Sequence, residues 1–114
     1  MSESTEFGRV ERLGLRLADV EIGTSYGAPA LKVRGRMFAC IPTHRSAEHG
    51  SLAVRMSLVE RDLRVRDRPD IYYVKPHYEP HPVVLARLAK LSDDALSELL
   101  ETGWEFERGT RRRP

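Results

Sequence analysis

A chain of 114 residues, 40% apolar, 32% charged and carrying a formal net charge of +2, has the length and balance of one self-supporting globular domain, not of a disordered or fibrous chain. No apolar run approaches the ~20 residues that a membrane-spanning helix requires, and the polar, acidic start MSESTEFGRVER lacks the basic-then-apolar pattern of a secretory leader. Cys40 is the single cysteine, which excludes an intrachain disulfide and a multi-cysteine metal knot and makes a reducing, cytoplasmic setting the expectation.

The first predicted element is a helix over about Thr5–Leu17, with Ser4 as N-cap and Phe7, Val10, Leu13, Gly14 and Leu17 along one side at helical spacing. A short extended segment punctuated by Gly23 and Gly27 follows. Ala30–Val33 and Met37–Ile41 then flank Arg34-Gly35-Arg36 as two arms of a hairpin, with the glycine permitting the tight turn. Thr43–Gly50 reads as a polar loop. Ser51–Met56 alternates as a half-buried strand, with Leu52, Val54 and Met56 on the buried face.

Ser57-Leu58-Val59-Glu60 has the spacing of a capping box, so a helix is expected from there to about Asp67, where Pro69 stops it. Ile71–Lys75 and Val83–Leu88 are two more predicted strands, joined by the proline-rich loop from Pro76 to Pro82. Ser92 caps a last helix that starts with Asp93 and Asp94 at its positive end and carries Leu96, Leu99, Leu100 and Trp104 inward. Gly103 marks a close approach on that helix. The expected fold class is α+β in the order α-β-β-β-α-β-β-α: an antiparallel sheet with the N- and C-terminal helices on one face. Residues 1–107 form a single domain in this reading, and 108–114 form a basic, flexible tail.

Charge is unevenly spread. Residues 1–31 carry −2, residues 32–68 carry +5, residues 69–107 carry −5, and the tail from Arg108 adds +4. Of the 19 basic residues 16 are arginine, a bias that a GC-rich genome produces as readily as selection for phosphate binding does.

The stretch from Gly23 to Ala39, GTSYGAPALKVRGRMFA, closely resembles the opening signature of the MmcQ/YjbR-like family. The central helix ending near Pro69, Tyr72-Tyr73-Val74-Lys75-Pro76-His77-Tyr78, Val84-Leu85-Ala86-Arg87-Leu88 and the terminal Leu99-Leu100 with Trp104 are similar to it too. Pro80 and His81 depart from a loop that is smaller or aromatic in relatives, and Gly103 stands where alanine is common. The resemblance covers nearly the whole domain. It implies a "double wing" domain, broadly like the frataxin/CyaY-like architecture, often labelled DNA-binding, and it brings no catalytic motif with it.

Two site hypotheses follow. In the first, Lys32, Arg34, Arg36 and Arg55 from the strands, with Arg61 and Arg64 from the central helix, converge as one surface for the DNA phosphate backbone; Arg61, Arg64 and Arg68 fall at i, i+3 and i+7. The plain alternative is a set of solvated charges paired with nearby carboxylates. In the second, the domain is an interaction module for a protein or a small ligand, and Tyr26, Tyr73, His77 and Tyr78 line a groove between sheet and loops; the plain alternative is that the tyrosines pack on the sheet.

His44, His49, His77 and His81 lack the spacing and partners of a zinc site, so no metal is expected. Cys40 reads as a small core residue. Without a glycine-rich phosphate loop, a serine elbow or a carboxylate pair, the chain reads as a noncatalytic protein with no cofactor.

Overall fold

The computed structural model of the chain describes residues 2–111, with side chains over residues 6–109. Helix α1 (Ser2–Gly14) is followed by β1 (Val20–Ser25), β2 (Ala28–Val33), β3 (Arg36–Cys40) and β4 (Ser51–Arg55). Helix α2 (Leu58–Asp67), β5 (Tyr72–Tyr73), β6 (Val83–Arg87), a 3-10 turn (Leu88–Lys90) and α3 (Asp93–Arg111) complete the chain. The strands form one antiparallel sheet in the order β1-β2-β3-β4-β6-β5. The chain is thus α+β, and its helices and strands follow in the expected sequence. The segment before Gly27 adds an edge strand, β1.

Local chemistry accounts for the ends of these elements. The Ser57 hydroxyl accepts a hydrogen bond from the Glu60 amide at 3.1 Å, and the Ser92 hydroxyl accepts one from the Ala95 amide at 3.1 Å. Each occupies an amide that has no partner within its own helix. Ser4 does not cap α1 but lies inside it, because the helix starts at Ser2 and ends at Gly14 instead of Leu17. Helix α3 runs past residue 107, where the tail was expected, to Arg111; Arg112, Arg113 and Pro114 lie outside the described residues.

Both two-residue hairpins have positive φ at their central positions. Tyr26 (φ 52°) and Gly27 (φ 81°) join β1 to β2, and Arg34 (φ 53°) and Gly35 (φ 81°) join β2 to β3. That sign matches the twist of the strands and makes the turns tight.

The main core lies on one face of the sheet. Phe7, Val10 and Leu13 of α1 and Leu96, Leu99 and Leu100 of α3 bury against Leu31, Val33, Phe38, Leu52, Val54 and Val84. Gly103 is where α3 comes closest: a Cβ there would stand 2.7 Å from Val54 Cγ1 and 3.1 Å from the carbonyl oxygens of Phe38 and Arg55. The opposite face carries smaller side chains. Ala30, Cys40, Ala53, Tyr73, Val83 and Leu85 form a second cluster, packed by Met37, Ala47 and Tyr78. Among the described residues, no helix is long and apolar enough to cross a membrane.

Candidate functional site: a cleft on the open face of the sheet

Small side chains on the second face leave room that the loops do not fill. Cys40, Ala53 and Val83 form the floor of a cleft of about 680 Å³, with Met37 beside them. Ile41–His44 and the segment carrying His77, Tyr78 and His81 meet to make one wall, and the β1–β2 turn contributes Ser25 and Tyr26. Arg55, at the end of β4, completes the lining. A largely apolar concavity of this size with a few convergent polar groups has the form of a small-molecule site.

The two segments of this wall hold each other through their rings. His44 and His77 stack with centroids 3.6 Å apart and planes 9° from parallel, and Tyr78 meets both edge-on. His44 Nδ1 accepts a hydrogen bond from the Ser46 amide at 3.1 Å and lies 2.8 Å from the Ser46 hydroxyl. Accepting from an amide requires an unprotonated Nδ1, so the neutral imidazole is the form that fits. Loss of solvent contact, then the neighbouring His77 and Arg45, hold the His44 pKa below its ordinary value. Burial pushes the Cys40 thiol up to about 11, only partly opposed by Arg55, so the floor offers an inert thiol and not a nucleophile.

Three of the four residues expected to bind a ligand therefore line one cleft: Tyr26, His77 and Tyr78. Tyr73 does not. Its hydroxyl lies 2.5 Å from Ser51 Oγ and accepts a hydrogen bond from the Glu48 amide at 2.8 Å, and its ring lies under the Arg87 guanidinium at 4.4 Å. It braces β5 against the 43–50 loop.

Most of the cations expected to form one anion-binding face are engaged within the chain, two of them by the same carboxylate. Arg36 Nε and Arg55 Nε donate to the two oxygens of Glu107 at 2.8 Å each, and Glu107 is 2% exposed. Arg61 is buried; it donates to the carbonyls of Glu79 and His81 at 2.9 and 3.0 Å and to Asp62 at 3.0 Å. Arg64 reaches Glu98 at 2.9 Å, Thr102 at 3.1 Å and the Tyr72 hydroxyl at 3.1 Å. Arg34 lies 4.0 Å from Asp19, Arg68 pairs with Asp70 at 2.9 Å, and Lys32, half-buried, stands across from Glu21 with its stem over Gly23.

The continuous basic stripe on α2 is corrected by this arrangement. Arg61 and Arg64 face inward, while Leu58, Val59 and Leu63 face solvent. A guanidinium with five fixed donors can satisfy loop carbonyls and a facing carboxylate together, which an aliphatic side chain cannot.

Several cleft residues carried no such expectation. His44, Met37, Cys40 and His81 were not placed in the ligand set, and Arg55 was assigned to the phosphate surface. A signal was present for the floor: Cys40, Ala53 and Val83 fall on strand positions opposite the large core residues, so that face is under-filled.

Residues 15–106 match the family model described as YjbR. A 40-residue stretch, 35% of the chain, is 38% identical to the uncharacterized protein Mb2600 of Mycobacterium bovis and, at the same identity, to the uncharacterized protein Rv2570 of Mycobacterium tuberculosis. The matched stretch covers 31% of the length of those proteins.

Proposed function

The chain belongs to the YjbR family, and from that premise and the geometry of the open sheet face we propose that it is a noncatalytic binding module that holds a small ligand with a flat apolar body in the cleft. The observation that carries this reading is the meeting of Tyr26, His77 and Tyr78 around one cleft of about 680 Å³ while the arginines of the rival surface are engaged by carboxylates and carbonyls.

Tyr26 adds support. It is 94% exposed at φ 52°, a conformation that glycine or asparagine adopts more readily than an aromatic does. A bulky ring retained there at a backbone cost contributes nothing to the core and stands at the cleft mouth. Strain of this kind gathers at binding positions.

The test is an amide-resolved NMR titration with two probes of one shape, 2-naphthoate and 2-naphthamide. Binding of either in the cleft shifts the amides of the non-proline residues in 37–44, 53–55 and 77–83. Tyr26→Asn restores a favoured turn sequence, keeps the fold, and weakens that binding about fivefold through the lost ring contact. Shifts spread over the helical face, or none with either probe, overturn the reading. A DNA duplex titrated at two salt concentrations covers the occupant that the family resemblance suggests. Tight, strongly salt-dependent binding that is lost when Arg34, Arg36 and Arg55 are neutralised would favour DNA over a cleft ligand.

A further inference from the structure

The chemistry of the lining restricts the ligand further. Three histidines and Arg55 line the cleft, and among the described residues no aspartate or glutamate does. Glu48, the acidic residue of the 43–50 loop, is turned away: its two carboxylate oxygens accept from Arg87 at 2.8 and 2.9 Å.

Charge where β4 ends is unbalanced. Arg36 and Arg55 share the one carboxylate of Glu107, so two positive groups meet one negative group in a contact where the acid is 2% exposed and the Arg55 side chain 28%. The pair of 2.8 Å bonds uses both oxygens of Glu107 and the Nε of each arginine. Within this triad one positive charge is unmatched, and Arg55 is the member that lines the cleft. Arg55 Nε is held by Glu107 of α3, and a guanidinium so anchored keeps two terminal amino groups that can meet a carboxylate as a fork. The floor beyond it is apolar: Cys40, Ala53 and Val83.

We infer that the cleft selects an organic carboxylate: the carboxylate meets Arg55 where β4 ends, and a flat apolar body lies over Cys40, Ala53 and Val83 between Tyr26 and the His44–His77 wall. This rests on the binding reading above and adds the charge class to it. No covalent step is involved.

Comparing the same two probes tests it. The carboxylate 2-naphthoate binds at least tenfold more tightly than the uncharged 2-naphthamide, and Arg55→Gln removes that difference by weakening only the carboxylate. Arg55→Lys, which keeps the charge and loses the fork, falls between the two. Circular dichroism and the His44 and His77 ring resonances establish that each variant keeps the fold and the loop stack, since Arg36 still holds Glu107. If both probes bind in the cleft with equal affinity, or Arg55→Gln leaves the preference intact, the charge assignment is wrong while the cleft remains a binding site. If neither probe binds, the binding reading falls and the charge assignment falls with it.

Discussion

His44 and His77 come from loops more than thirty residues apart and lie face to face at 3.6 Å, so one ring contact closes the wall of the cleft. The contact suits a neutral His44 ring. A proton on His44 would face the Ser46 amide, which already donates to Nδ1, and would add a cation beside Arg45.

The direction of the pH effect follows. His44 binds its proton less readily in the folded chain than in the unfolded one, so its contribution to stability is complete above the ordinary histidine value of about 6.5 and is lost as pH falls through the lower folded value. His44→Phe keeps a ring on His77 without a titrating group. Thermal melts from pH 7.5 to 5 should show the wild type losing more stability than this variant, and hydrogen exchange should show the loss in residues 43–47 and 76–82. Parallel melting curves for the two proteins would remove the stack as the source of the effect.

Replacing Arg64 should reveal a structural role and not a phosphate contact. Its side chain is 14% exposed and joins α2 to Glu98 and Thr102 of α3 and to Tyr72 of β5. Arg64→Gln leaves these groups under-satisfied and should cost about 1–3 kcal/mol. Arg66→Gln, at a side chain 72% exposed and paired with the neighbouring Asp67 at 3.1 Å, should change stability by less than about 0.5 kcal/mol. Urea unfolding of the two variants checks the contrast. Equal and small effects would mean that Arg64 is held no more firmly than a surface charge.

Much of the architecture was legible because its signals are local. Ser57 and Glu60 have the spacing of a capping box, Ser92 precedes an apolar spacing of 3.6 residues, Gly35 lies between two apolar runs, and Pro69 ends a helical pattern. Strand β1 was less clear because an edge strand buries little; Val20–Ser25 alternates weakly and contains Gly23. The inward arginines of α2 could not be read from periodicity, since spacing places Arg61 and Arg64 on a common side without saying which side faces the protein. Their orientation depends on acceptors contributed by residues 79–81 and by α3. The cleft has the same origin. It needs residues 41–44 and 77–81 brought over a sheet face of small side chains, a long-range arrangement that no single segment encodes.

Gly103 tests the register between the last helix and the sheet. In an exposed helix interior, Gly→Ala gains about 1 kcal/mol from helix propensity. Here the new methyl group would meet Val54 Cγ1 at 2.7 Å and, at 3.1 Å, the carbonyl oxygens of Phe38 and Arg55, both in central strands with little freedom to move. The overlap cost of about 1–3 kcal/mol should therefore exceed the propensity gain. It should also lift α3 at the point from which Glu107, one turn further on, reaches Arg36 and Arg55. Gly103→Ala is expected to lower the melting temperature and to weaken 2-naphthoate binding, although residue 103 does not line the cleft. A variant as stable as the wild type would show that helix and sheet can separate here at no cost, and the close approach would then not be what holds Glu107 against its two arginines.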